Sequence, residues 1–411
     1  MKTICITLVT ILFLAFLIAR FNVATEPQTQ ILADVGSEIE VVVCSATSAR
    51  TSSLRNAELV ANIVNGLPND VQVLLLVNDR ESFHTNSGNN RVKFIELAKE
   101  TGISIWPQDP FVVVSSSNQT KLITPCIFDR EDDHVMPIAL AKALDIEIVQ
   151  SELHFEGGNI VCGEEDVLIG FNTISLNAEL LEETASKIVS RFQKLFGRPV
   201  MVVGNQPQEI NHIDLVITPL PGKRVAIADS RLGAAIAQKT LQTSREEMTR
   251  FEQACENNFF GREDITNLSD LSGNSINRPQ ILGQTQQNIQ SSIVAADQLD
   301  AMARQFTDAG YQVIRIPALV PNLTPKRNES GKEMPNYPFI TYNNVLVENR
   351  HGMPTVYLPQ YDFPALDSAG VERWAESGFQ VTTIPGFTTS AMYGGALRCC
   401  TKVLLRKSSS K

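Results

Sequence analysis

A late cysteine, a histidine and two aspartates stand in local patterns that suit chemistry. Near the end of the chain, Gly394-Gly395-Ala396-Leu397-Arg398-Cys399-Cys400-Thr401 runs two glycines into adjacent thiols. A thiol becomes a nucleophile when nearby positive charge stabilises its thiolate. Otherwise such cysteines are buried structural groups or halves of a disulfide. In Asn211-His212-Ile213-Asp214 an imidazole and a carboxylate lie two residues apart. On a strand both would point to one face, placed for proton transfer and for binding a cation. The same pair exposed on a surface would do nothing. Only His84, His134, His154 and His351 compete with His212 for an acid-base role.

Two further stretches carry possible site residues. Trp106-Pro107-Gln108-Asp109-Pro110 presents an acid where two short β-type runs meet. Pro110 biases Asp109 away from helical backbone. The aspartate then either faces a cleft or caps amides of its own turn. Phe155-Glu156-Gly157-Gly158-Asn159 contains two glycines, which permit a close approach by a ligand or make an ordinary hairpin turn.

The elements that must position these residues read as mixed. Short runs rich in β-branched residues recur at 39–44, 71–77, 91–97, 103–106, 111–114, 146–150, 167–170, 215–217, 224–228, 312–316, 345–348, 355–358 and 380–384. Helical spacing predicts helices over 54–65, 180–196, 245–255 and 293–309, the last stopped by Gly310. Strands and single helices therefore alternate less regularly than in a doubly wound sheet. Residues 256–279 read as a polar surface insertion, and 321–335 as a loop or lid.

Composition sets outer bounds. The chain has 411 residues, 35 Lys plus Arg against 45 Asp plus Glu, and a formal charge of -10. That balance gives no electrostatic reason to bind nucleic acid. The seven cysteines, Cys5, Cys44, Cys126, Cys162, Cys255, Cys399 and Cys400, are thinly spread and show no metal-type spacing. Residues 3–19 form an uncharged apolar stretch between Lys2 and Arg20. It reads as a cleaved export signal, an uncleaved membrane anchor or a buried helix. The first two readings make 1–25 a leader and place the folded part outside the cytosol. One domain over 38–405 and a basic tail over 406–411 follow, with sequons at Asn118, Asn267, Asn322 and Asn328 open to glycosylation on a eukaryotic secretory route.

In order along the chain, Trp-x-x-Asp, Glu-Gly-Gly-Asn, His-x-Asp and Gly-Gly-x-x-x-Cys-x-Thr resemble the guanidine-modifying (pentein) superfamily. It holds arginine, agmatine and peptidyl-arginine deiminases and amidinotransferases. The resemblance implies an α/β fold, a five-bladed pseudo-symmetric α/β propeller of ββαβ-type units around the active site. It implies Cys399 as nucleophile, His212 as general acid-base, and Asp109 and Asp214 as the carboxylates that grip a guanidinium. Trp106, Glu156, Gly157, Gly158, Asn159, Asn344 and Arg398 are implied near the substrate. The expected reaction converts a guanidino group, on peptide arginine or on a small compound such as agmatine, to a ureido group plus ammonia. It requires no metal and no organic cofactor. Amidino transfer to an amine and non-catalytic guanidinium binding are the alternatives. Arg398 departs from the histidine common in agmatine and peptidyl-arginine deiminases. It points away from the site, or lowers the Cys399 pKa, or binds a substrate carboxylate, or marks altered activity.

Overall fold

The structure is a computed structural model that describes residues 29–407 apart from 47–52, 79, 81–82, 84–89, 117–118, 129, 131, 205, 261–283, 324–325, 328–332 and 335–337. The 1–25 leader, tail residues 408–411, His84, the sequons at Asn118, Asn267 and Asn328, most of the 256–279 insertion and much of the 321–335 loop lie outside the described residues.

Among the described residues the strands fall into six sheets, five of them on one plan. Two strands pair antiparallel, and a third returns parallel to the second after a helix. A parallel return cannot be made by a tight turn and needs such a crossover. Val112–Ser115 and Thr120–Thr124 form one antiparallel pair; the Val135–Leu144 helix leads to Glu147–Gln150. Ile160–Cys162 and Val167–Gly170 are followed by two helices, Phe171–Leu180 and Ala185–Phe196, and then Val200–Val203. Ile217–Leu220 and Arg224–Asp229 are joined to Gln312–Leu319 through helices Ser230–Thr243, Arg245–Phe260 and Gln284–Asp308. Leu346–Arg350 and Met353–Pro359 are followed by the Pro364–Glu376 helix and Gln380–Ile384. In the fifth sheet Ile39–Ala46 leads through the Ser53–Gly66 helix to Gln72–Val77. Its antiparallel partner is Lys402–Arg406, so a strand just after Cys399 is zipped to one from the start of the fold. The sixth sheet is a two-stranded ribbon, Lys326–Arg327 with Glu333–Met334.

The local chemistry explains these elements. In Ala185–Phe196, Ile188, Phe192 and Phe196 recur every four residues and are all buried, and Gly197 ends the helix at φ 64°. Ser230–Thr243 begins where the Asp229 side chain accepts the Leu232 N–H at 2.9 Å.

Several sequence expectations need correction. Residues 103–106 form no strand, because Ser104 is held by Asp133, whose carboxylate accepts its N–H at 2.6 Å and its hydroxyl at 2.5 Å. The expected 180–196 helix is two helices broken at 181–184, where Glu182 adopts φ 52°. The 215–217 run is a 3-10 turn over Ile213–Leu215 followed by the Ile217–Leu220 strand. The strands Thr120–Thr124, Ile160–Cys162, Val200–Val203 and Lys402–Arg406 went unread, as did the helices Val135–Leu144, Ser230–Thr243 and Pro364–Glu376.

The largest apolar cluster centres on Tyr342, Tyr357, Tyr361, Phe363 and Trp374. Trp374 is fully buried, donates its indole N–H to the Tyr342 carbonyl at 2.8 Å and meets Phe379 edge-on. Trp374→Ala removes that volume and orphans a buried carbonyl. It is expected to cost about 3–5 kcal/mol. A urea midpoint unchanged from wild type would show that this helix does not contribute to the cooperative core.

Candidate active site

Four segments converge, and backbone hydrogen bonds lock two of them together. The Asp109 carbonyl accepts the Gly157 N–H at 2.9 Å, and its Oδ1 accepts the Gly158 N–H at 2.9 Å. Gln108 Nε2 donates to the Gly157 carbonyl at 3.1 Å. Asp109 thus caps amides and also stands in the site. A Cβ on Gly158 would run into His212 Nδ1 and come within 2.8 Å of Asp109 Oδ1, so only glycine lets the loop lie this close.

The same loop sets the histidine segment. Asn159 Oδ1 accepts the Ile213 N–H at 3.2 Å and Gln208 Nε2 at 2.9 Å, while its Nδ2 donates to Thr173 Oγ1 at 2.8 Å. These bonds draw residues 213–215 into a 3-10 turn in place of the strand start expected for His212 and Asp214. The two side chains nonetheless enter the same cluster of charges. His212 Nε2 bonds the Glu156 carboxylate, and its Nδ1 lies 3.8 Å from Asp109 Oδ1. Burial opposes a charge on the ring, but Asp109, Glu156 and Asp214 outweigh it and lift its pKa to about 9. Burial likewise works against the Glu156 charge, yet His212 and Arg130 bring that carboxyl down to about 2. At neutral pH the pair is an imidazolium beside a carboxylate.

The cysteine completes the cluster. Its N–H donates to Asn344 Oδ1 at 3.0 Å, and Asn344 Nδ2 lies 3.2 Å from Sγ and 3.2 Å from the Asp214 carbonyl. Asn344 therefore ties Cys399 to the Asp214 segment. Sγ is 3.9 Å from Asp214 Oδ1 and 3.7 Å from Oδ2. Burial, then Asp214 and Asp109, push the Cys399 thiol well above its ordinary pKa, so it is held as the thiol. A Cβ on Gly395 would strike the Trp106 ring and sit 3.1 Å from Cys399 Cβ, which places that ring over the glycine beside the cysteine. Cys400 packs instead into the main core with Cys44. Cys44, Cys126, Cys162, Cys255, Cys399 and Cys400 are all free thiols, so the disulfide alternative is set aside for them.

Both aspartates are already engaged by guanidinium groups of the chain. Arg130 donates to Asp109 Oδ2 at 2.6 Å. Arg398 does not point away: it is buried, and its Nη1 donates to Asp214 Oδ2 at 2.8 Å. Its Nε and Nη2 go to Asp34 Oδ1 and Oδ2 at 3.1 and 3.0 Å, and Nη2 also reaches the Ile160 carbonyl at 2.9 Å. With its charge committed to Asp34 and Asp214, Arg398 leaves the cysteine a raised thiol rather than a lowered one.

Sequence reading missed Arg130, Asp34, Gln208 and Lys402. None sits in a motif; each reaches the site only through the fold. Lys402 Nζ donates to the Gln108 carbonyl at 3.2 Å and packs 5.2 Å from the Phe111 ring centre, and burial takes its pKa down to about 7. Among the described residues no group of three or more His, Cys, Asp or Glu is placed to hold a metal ion.

No protein-family model and no curated protein matches this sequence. Solved structures do match. The agmatine deiminase of Enterococcus faecalis superposes with a TM-score of 0.61 at 13% identity, over 92% of this chain and 96% of that one. Agmatine deiminase of C. jejuni gives 0.57 at 14% identity, over 92% and 96%. Its variant with substrate bound gives 0.59 at 13% identity, again over 92% and 96%. At these identities the likeness is one of fold alone, and it runs along nearly the whole length of the chain.

Proposed function

We propose that this protein is a cysteine hydrolase of guanidino groups, a deiminase acting on peptide arginine or on a small guanidine such as agmatine. The observation that carries the reading is one buried cluster in which Cys399 Sγ lies against the Asp214 carboxylate while His212, braced by Glu156, lies against Asp109. Such a cluster selects a flat cation and supplies a sulfur and a proton to it. The five sheets of one plan close, in this reading, as blades of a propeller around that cluster. The chain works outside the cytosol, on the strength of the apolar stretch over 3–19.

Each carboxylate oxygen has a second lone pair. Asp109 and Asp214 therefore hold the substrate guanidinium alongside the arginines they already bind, rather than in two free forks. The arriving cation stabilises the thiolate, and the thiol proton leaves to solvent. Sγ then attacks the central carbon. His212 protonates the departing nitrogen, and the C–N bond breaks to release ammonia and leave an S-alkylthiouronium. Water, deprotonated by His212, adds to that carbon; the C–S bond breaks and frees the ureido product and the thiolate.

The direct test is ammonia release from peptide arginine, free arginine and agmatine with protein lacking residues 1–25. Release from none of them would remove the reading. Gly158→Ala gives a sharper check. The new methyl must displace His212 or Asp109, and a shift on the order of 1 Å costs about 100-fold in kcat/KM. Full activity in a variant with wild-type thermal stability would show that the His212–Asp109 approach is not used.

A further inference from the structure

We infer that Asp34 is a positioning residue: through Arg398 it keeps one face of the Asp214 carboxylate open for a cationic substrate. The inference rests on the deiminase reading and adds a residue that no motif contains.

The Arg398 guanidinium is shared unequally. Its Nε and Nη2 form a two-pronged pair with Asp34, at 3.1 and 3.0 Å. Only Nη1 reaches Asp214, on Oδ2, at 2.8 Å, and that N–H also lies 3.4 Å from the Gly157 carbonyl. Fork pairing is the strongest mode open to an arginine. While Asp34 holds the fork, Asp214 gives up only Oδ2 to the arginine, and Oδ1, 3.9 Å from the sulfur against 3.7 Å for Oδ2, is left free of it. The charges agree with the geometry. Asp34 takes the larger share of the Arg398 charge and so leaves more of the Asp214 charge for the substrate, against the burial that pushes the Asp214 carboxyl up. Without Asp34 the arginine would cancel Asp214 instead.

A small cavity of about 30 Å³ adjoins Arg398 on the side of Asp34, Gln108, Cys162 and Lys402. With Asp34 uncharged, the fork turns to the remaining carboxylate and takes both oxygens of Asp214. Asp34 is otherwise a modest fixture. Its side chain is 26% exposed, and its Oδ2 accepts the Cys162 N–H at 2.7 Å. Asparagine keeps an acceptor for that amide, so Asp34→Asn removes the charge without opening the strand contact.

The test compares two reagents on the full chain. Chloroacetamidine and chloroacetamide alkylate a thiol alike, the C–S bond forming as chloride leaves, but only the first is a flat cation. In wild type the cationic reagent reacts faster at Cys399. Asp34→Asn is expected to lower that rate ratio about tenfold or more, and to raise KM for the guanidino substrate by a similar factor with kcat within about threefold. Asp34→Glu recovers most of the ratio. In an Arg398→Gln background, Asp34→Asn changes it less than about twofold, because the aspartate acts only through the arginine. Should Arg398→Gln not fold, Arg398→Lys, which cannot make the fork, serves as that background. An Asp34→Asn protein with the wild-type ratio, or one slowed equally toward both reagents, overturns the inference while leaving the deiminase reading in place. A wild type that neither prefers the cation nor releases ammonia overturns the reading itself.

Discussion

Replacing Cys399 with alanine is expected to take ammonia release down to background, a loss of at least about 10⁴-fold, while the guanidino ligand still binds within about tenfold of its wild-type affinity. The separation follows from where the groups sit. In the proposed mechanism the cation is held by Asp109 and Asp214, neither of which depends on the sulfur. Cys400 offers no second sulfur to the covalent step, because it is turned into the main core beside Cys44. Cys400→Ala is accordingly expected to keep activity within about threefold, with a small loss of stability for the vacated sulfur. A coupled ammonia assay reads the first quantity and calorimetric titration the second. Residual turnover above about 1% in Cys399→Ala would mean that another group attacks the carbon.

That outcome depends on something the motifs could not express. A sequence shows that Cys399 follows Gly394-Gly395; it does not show that burial, Asp214 and Asp109 together hold the thiol protonated. The raised thiol changes the order of events. In the proposed mechanism a thiol held up in this way reacts slowly on its own and turns nucleophilic when a positive group settles between the carboxylates. A neutral alkylating agent should therefore find a sluggish cysteine, and a cationic one a reactive one. This is a filter against indiscriminate thiol chemistry, built from the charges that bind the substrate.

What was legible in the sequence was the part written in residue types. Trp106, Asp109, Glu156–Asn159, His212, Asp214, Asn344 and Cys399 were all singled out, and the fold gathers them into one cluster. The mixed α/β character was likewise readable, because β-branched runs and helical spacings alternate along the chain. Long-range pairing was not. The chain end reads as a basic tail over 406–411, and Lys402 and Arg406 cut short the apolar run between them, so no strand is read there. Lys402–Arg406 is instead the edge strand of its sheet, paired with Ile39–Ala46, with Lys402 covered by Phe111 and Gln108 and Arg406 donating to the carbonyls of Ser37 and Asp34. Asp34 was invisible for the same reason, being 364 residues from Arg398. The strand expected at His212 failed because Asn159 Oδ1 supplies the Ile213 N–H with a partner that a sheet would otherwise have provided.

His212→Gln is the second substitution with a large expected effect, and it has two readouts of opposite character. Removing the proton carrier lowers kcat by about 10²- to 10⁴-fold, with KM moved far less, since Asp109 and Asp214 remain. The second readout is stability against pH. The folded-state pKa of about 9 lies above the ordinary 6.5. A group raised in this way contributes its full stabilisation below pH 6.5 and loses it as pH climbs through 9. The contribution at the low end is on the order of 3 kcal/mol. Lys402 acts with the opposite sign. Its folded pKa of about 7 lies below the ordinary 10.5, so the unfolded chain binds the extra proton and stability rises with pH across that window. The wild-type curve alone therefore mixes two slopes, whereas the difference between wild type and His212→Gln isolates the histidine. That difference should be greatest near pH 6 and shrink to little by pH 10. Glu156 has a side chain 32% exposed and can turn to water when the ring is gone, so the variant is not left with a buried, unpaired anion there. A stability difference that stays constant from pH 6 to 10 would mean that His212 is not held as an imidazolium, and the proton delivered to the leaving nitrogen would have to come from elsewhere.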